Sequence, residues 1–145
     1  MIAIASDHAG YSLKQELLDH LKESGIPCDD LGCESTASVD YPVYAKKLCD
    51  AVLAGKYEQG ILVCGTGIGM SIAANKFDGI TAALCSDCFS AEMSRQHNNA
   101  NVLCLGARVI GPELAKRILD TFLSADFSEK ENHIRRNEMV KGFRK

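Results

Sequence analysis

The stretch ILVCGTGIGMS, residues 61–71, decides how this chain is read. An apolar run stops at Cys64 and breaks at once into Gly65, Gly67 and Gly69, after which IGMSIAANK takes up a short helical pattern. A continuous apolar run bounded by glycines reads as a strand buried on both faces. A strand, a tight loop and a helix in that order make the first half of a βαβ unit. Working outward, the same unit recurs. MIAIAS reads as strand one and GYSLKQELLDHLKES as its helix, with Leu13, Leu17, Leu18 and Leu21 at helical spacing and Gly25 as the stop. IPCDDLG is a weak second strand, followed by the helix SVDYPVYAKKLCDAVLAG, which Asp40 caps or Pro42 opens. After strand three, GILVCG, come strand four, GITAALC, the helix SDCFSAEMSRQHN, strand five, ANVLCLG, and the helix GPELAKRILDTFLS. The basic tail EKENHIRRNEMVKGFRK reads as helical and belongs to no strand.

Such alternation predicts a single α/β domain over residues 1–145: three layers, α/β/α, around a five-stranded parallel doubly wound sheet with a C-terminal helical tail. The commonest order for five such strands is 2-1-3-4-5. Ligands of doubly wound sheets bind where the winding reverses, here outside the carboxyl ends of strands one and three. The loops SDHAG and CGTGIG, the two richest in chemistry, therefore meet at one crevice.

Bulk properties exclude several classes. The chain has 145 residues, long enough to bury a full core, and a formal net charge of −3, so it lacks the basic footprint of a nucleic-acid binder. No apolar run approaches the roughly 20 residues of a bilayer span, and the N-terminus lacks a basic signal-peptide start. These features point away from nucleic acid and membrane as partners. Seven cysteines, an odd number irregularly spaced, read as reduced thiols of a cytoplasmic protein. The pair Cys85 and Cys88 forms C-x-x-C, but a second ligand pair at zinc spacing is missing, and no metal is expected.

The loop G-T-G-I-G is neither the dinucleotide fingerprint nor a P-loop, since the spacing of the one and the G-K-[ST] of the other are missing. It presents backbone amides at a helix start, suited to an anion or a developing oxyanion, unless the glycines serve only a tight turn. Cys64 tips that balance, because a thiol facing a helix start can act as a thiolate nucleophile or base. Asp7 and His8 either cap the first helix or bind hydroxyls or phosphate across the crevice. His97 is either a helix-end histidine favoured by the dipole or an acid–base group with an amide beside it. Arg108, Arg135 and Arg136 are candidate phosphate partners by chemistry alone.

The blocks SDHAG, VDYP, CGTGIGMSIAANK, SRQHNNANVLCLGARVIG and HIRR, in this order, resemble the type B ribose-5-phosphate isomerases, a group that includes the galactose-6-phosphate isomerase subunits. The resemblance spans essentially the whole chain. It implies an aldose–ketose isomerase acting through an enediol(ate), needing no cofactor. It makes Cys64 the base between C1 and C2, and Thr66 with the amides of Gly65, Gly67, Ile68 and Gly69 the stabiliser of the enediolate. His97, with Asp7 nearby, opens the furanose ring. His8, Arg108 and Arg136 grip the phosphate, Asn98 contacts a sugar hydroxyl, and Tyr41 lines the pocket. It further implies a homodimer or homotetramer whose active sites are shared across the dimer interface, with the tail, about residues 128–145, packing on a neighbour. Three positions distinguish this chain: Asn132 stands where an arginine is usual, so that Arg135 replaces that contact or it is missing; Asn99 stands where H-N-D is familiar; and Met70 occupies the place of a glutamate in one branch. The rival readings are a six-carbon sugar-phosphate isomerase (galactose 6-phosphate or allose 6-phosphate), a non-catalytic sugar-phosphate-binding subunit, and a flavodoxin-like nucleotide or flavin module.

Overall fold

The computed structural model describes residues 1–143. The sequence folds as β1 (Ile2–Ser6), α1 (Tyr11–Glu23), β2 (Cys28–Asp30), α2 (Tyr41–Leu53), β3 (Gln59–Cys64), α3 (Ile68–Ala74), β4 (Ala82–Leu84), α4 (Cys88–Gln96), β5 (Val102–Gly106), α5 (Pro112–Ser124) and α6 (Glu131–Lys141). The five strands form one sheet and all pair in parallel. Alternation along the central strands sorts side chains onto two cores. Ile4, Ile61, Val63, Leu103 and Leu105 pack with Leu17 of α1 and Phe122 of α5 on one face. On the other, Ala3, Ala5, Leu62, Cys64 and Cys104 pack with Leu48 of α2 and Met70 of α3. The side chain of Cys64 therefore lies on the α2–α3 side. Among the described residues, no helix is long and apolar enough to cross a membrane.

The strand order is 2-1-3-5-4, which corrects the expected 2-1-3-4-5 at one edge. Burial explains the exchange. β5 is buried at all five residues, whereas β4 is three residues long and partly exposed throughout. The longer apolar run takes the central place beside β3 and leaves the short one at the edge, where one side of a strand goes unpaired. The swap has a chemical consequence, because Gly106 at the end of β5 now pairs beside Cys64. At α2, Pro42 lies in the first turn and the Asp40 side chain makes no cap bond, so the proline opens the helix.

Lys14, which the helical pattern leaves unremarked, is fully buried. Its Nζ donates to Asp30 Oδ1 at 2.8 Å and to the Cys33 carbonyl, and sits 5.2 Å from the centre of the Tyr11 ring. A buried ammonium needs such partners. The ion pair ties α1 to the end of β2, and the bond to Cys33 ties it to the loop that follows.

Candidate active site

The crevice is assembled from backbone contacts that only small residues allow. Asp7 N–H donates to the Val63 carbonyl at 3.2 Å, bringing the loop after β1 against the end of β3. A Cβ at Gly10 would lie 2.5 Å from that same carbonyl oxygen, so glycine is what lets α1 start there. Gly67 has φ +78°, and a Cβ on it would come within 2.9 Å of the Leu105 backbone. Both its conformation and its surroundings call for glycine.

Within the β3–α3 loop, the Gly67 amide donates to Cys64 Sγ at 3.2 Å and the Ile68 amide to Thr66 Oγ1 at 3.2 Å. The first of these strengthens when the sulfur carries negative charge. Three buried thiols elsewhere are pushed above the ordinary thiol value. Burial, with Asp50 adding to it, pushes Cys49 up to about 11. Burial, with Asp87 adding, pushes Cys85 to about 11, although a hydrogen bond from Ser94 opposes it. Cys104 is driven well above its ordinary value by burial, then by Cys64, Cys49 and Cys85 nearby. All seven cysteines are unpaired.

Around this loop stand the other predicted residues of one group. The Tyr41 ring lies against Gly69, where a Cβ would be 2.6 Å from Cζ. The Arg108 amide donates to the Gly65 carbonyl at 2.9 Å, and its Nη1 would be 3.3 Å from a Cβ at Gly65, so the guanidinium covers the loop. Asp7 Oδ1 accepts the Gly10 amide at 3.0 Å, one residue before α1 begins, and α1 itself has no side-chain cap. His8 Nδ1 accepts the Val39 amide at 3.2 Å, which puts the proton of its neutral ring on Nε2. Met70 is fully buried in the core beneath the loop.

His97, Asn98 and Arg136 lie elsewhere in the same chain. α4 follows the carboxyl end of β4 and runs back, so His97 at its end lies at the amino edge of the sheet. Residue 101, just beyond that turn, accepts the Gly60 amide at the start of β3, four residues before Cys64. That is roughly 13 Å of strand. Here the C-terminal segment docks on its own α4. Ser128 N–H donates to the Gln96 carbonyl at 3.0 Å, Asn137 Nδ2 donates to the His97 carbonyl at 3.0 Å, and the His97 and His133 rings lie against each other, tilted by 37° with centroids 4.4 Å apart. His133 was missed by sequence reading, although it stands within the quoted HIRR. Burial, followed by the charges of His97, Lys130 and Arg136, holds its ring below the ordinary histidine value. Asn98, Asn99, Asn101 and Asn137 line a polar cleft of about 280 Å³ beside it.

The distinguishing positions also find places. Asn99, at φ +51°, accepts from Arg95 Nη1 at 3.2 Å; asparagine tolerates that conformation well. Asn132 Oδ1 accepts the His133 amide, and Arg135 pairs with Glu131 of its own helix at 2.7 Å. Of the tail, Arg144 and Lys145 lie outside the described residues.

Residues 2–140 match the Ribose/Galactose Isomerase family. The chain belongs to that family. Among its relatives, ribose-5-phosphate isomerase B of Escherichia coli (strain K12) is 50% identical over 139 residues, covering 96% of this chain and 93% of that one. D-erythrulose-4-phosphate isomerase of Pectobacterium atrosepticum is 49% identical over 127 residues, 87% of this chain and 84% of that one. A solved ribose 5-phosphate isomerase from Thermotoga maritima superposes with a TM-score of 0.95 at 50% identity, covering 98% of this chain and 97% of that one. The family relation accounts for the fold.

Proposed function

We propose that this protein interconverts ribose 5-phosphate and ribulose 5-phosphate through an enediol(ate) in a site completed by two copies of the chain. Cys64 takes the proton from C2 and returns it to C1 while the hydroxyl proton passes from the C2 oxygen to the C1 oxygen, so no atom is gained or lost. The loop amides from Gly65 to Gly69, with Thr66, face the oxygen that becomes negative; the amides of Gly67 and Ile68, which now serve Cys64 and Thr66, are shared with it. Arg108 and His8, through Nε2–H, meet the phosphate from one side. His97 protonates the ring oxygen and opens the furanose, with Asp7 across the crevice. Asn98 takes a hydroxyl, Arg136 the far side of the phosphate, and Tyr41 closes the wall. Binding energy from the non-reacting phosphate helps align the reacting carbons.

The observation that carries this reading is the division of the residues. Base, oxyanion loop and Arg108 gather at the carboxyl edge, while ring-opening histidine, Asn98 and Arg136 gather at the amino edge. A single chain holds two half-sites, and a twofold dimer joins unlike halves twice. Exposed apolar side chains support such an interface: Ile68 and Ile72 on α3, Phe89 on α4, and Ile134 on α6, through which the tail reaches the neighbour. Unpaired thiols and this substrate support a cytoplasmic setting.

The test is turnover of ribose 5-phosphate in EDTA by wild type, Cys64→Ala, His97→Ala and an equimolar, re-equilibrated mixture of the two variants. Wild type turns over, each variant alone loses activity, and the mixture recovers about a quarter of wild type, because half of the dimers are mixed and each carries one intact site. An inactive mixture of exchanged subunits refutes the shared site. Equal activity of Cys64→Ala and wild type refutes Cys64 as the base.

A further inference from the structure

The His97 turn and the C-terminal segment are joined by one half-buried side chain. Arg95, in the last turn of α4, donates from Nη1 to the Ala100 carbonyl and, at 3.2 Å, to Asn99 Oδ1. Its Nε donates to the Ala125 carbonyl at 3.3 Å, where α5 ends and the chain turns toward α6. The guanidinium carbon lies 5.8 Å from the centre of the Phe122 ring, which is fully buried. The fork thus closes the turn that carries His97 and Asn98, and anchors the start of the segment that carries His133. Both rings of the 4.4 Å pair are set from this one point. Lysine, whose three N–H donors all radiate from one nitrogen, cannot reach all three separated acceptors as the arginine fork does.

We infer that Arg95 is a positioning residue for ring opening: it fixes His97 against His133 and sets the register of the tail, without touching the substrate. This rests on the proposed ring-opening role of His97. It follows that losing Arg95 impairs the handling of the cyclic sugar and spares proton transfer at Cys64, which belongs to the other half-site.

Substrate chemistry separates the two steps. Ribose 5-phosphate is mostly a furanose. Ribulose 5-phosphate cannot close the corresponding ring, because its C5 oxygen carries the phosphate. Exchange of its C1 proton with D₂O, followed by ¹H NMR, reports enediol formation from an open chain. Turnover of ribose 5-phosphate reports ring opening as well. Both are measured for wild type, His97→Ala, Arg95→Met and Arg95→Lys, with helix content and thermal midpoint recorded for each. Arg95→Met keeps the apolar stem over Phe122 and removes the donors; displacing His97 by about 1 Å lowers ribose 5-phosphate turnover on the order of 10- to 100-fold. C1 exchange stays within roughly threefold of wild type, as expected of a proton-transfer half-site left in place. Arg95→Lys shows the same selective loss, smaller in size, and decides the matter if Arg95→Met does not fold. Parallel loss of both reactions in the folded Arg95 variants, or loss of neither, overturns the inference. If His97→Ala itself loses both reactions in parallel, the ring-opening reading of His97 fails instead.

Discussion

Gly106 ends β5 beside Cys64 and carries no side chain, yet the fold makes it a spacer for the Cys64 loop. A Cβ there would sit 2.5 Å from the Thr66 carbonyl oxygen, 2.6 Å from its carbon and 2.9 Å from its Cα. All three are backbone atoms, so no rotamer change relieves the overlap. Reaching an ordinary carbon contact means opening the gap by roughly 1 Å. Overpacking of this size costs about 1–3 kcal/mol, which for a chain of this length lowers the thermal midpoint by roughly 3–9 °C. The same displacement moves Thr66 and the loop amides relative to Cys64, and a shift near 1 Å lowers kcat on the order of 100-fold. The assay is ribose 5-phosphate turnover and thermal unfolding of Gly106→Ala beside Gly111→Ala, a control whose Cβ meets open space. The control loses at most about 1 kcal/mol, from a helix N-cap, and keeps its kcat. A Gly106→Ala protein matching that control in both kcat and midpoint refutes the claim that the close approach of β5 places the loop.

Two further outcomes concern buried charge and pH. Lys14 is fully buried while the side chain of its partner Asp30 is 38% exposed, so the two halves of the pair are not equivalent. Asp30→Ala strands an ammonium inside and costs about 3 kcal/mol, whereas Lys14→Met leaves a carboxylate that water can reach and costs about 1 kcal/mol; equal losses in denaturant unfolding contradict the argument. Alkaline pH weakens the fold through its buried thiols. Folding raises Cys49 and Cys85 from 9.0 to about 11 and raises Cys104 as well, so the folded chain holds protons that the unfolded chain releases. Their stabilisation is complete below pH 9 and is lost as pH rises toward 11, at about 1.3 kcal/mol for each of Cys49 and Cys85 between pH 8 and 10, with Cys104 acting in the same direction. Cys49 and Cys85 together lower the midpoint by roughly 8 °C over that interval, and a flat midpoint between pH 8 and 10 contradicts the assignment.

Much of this molecule is legible one segment at a time. ILVCG and NVLCLG announce buried strands by unbroken apolar runs, Leu13, Leu17 and Leu21 announce the buried face of a helix by their spacing, and the glycines after Cys64 announce a loop where backbone comes close to something. Such features are local, and local chemistry is what a sequence carries directly. That SDHAG and CGTGIG meet also followed, because parallel winding brings successive carboxyl ends to one edge.

What the sequence left open depends on relations between distant segments. GITAALC and ANVLCLG look alike as strings, and competition for the buried place beside β3 is settled by total burial rather than by either run. Lys14 sits on a helix like any polar residue until Asp30 and the Cys33 carbonyl close around it. Asn99 looks like a lost carboxylate until Arg95 is seen to need only an acceptor there. The placement of His97 at the opposite edge from Cys64 is the largest such decision. It follows from the direction in which α4 returns, a property of the assembled sheet and not of the motif. The sequence by itself determined the chemistry available and the elements that carry it. The tertiary structure decided which groups share an edge, because burial, packing and charge pairing are settled among all segments at once.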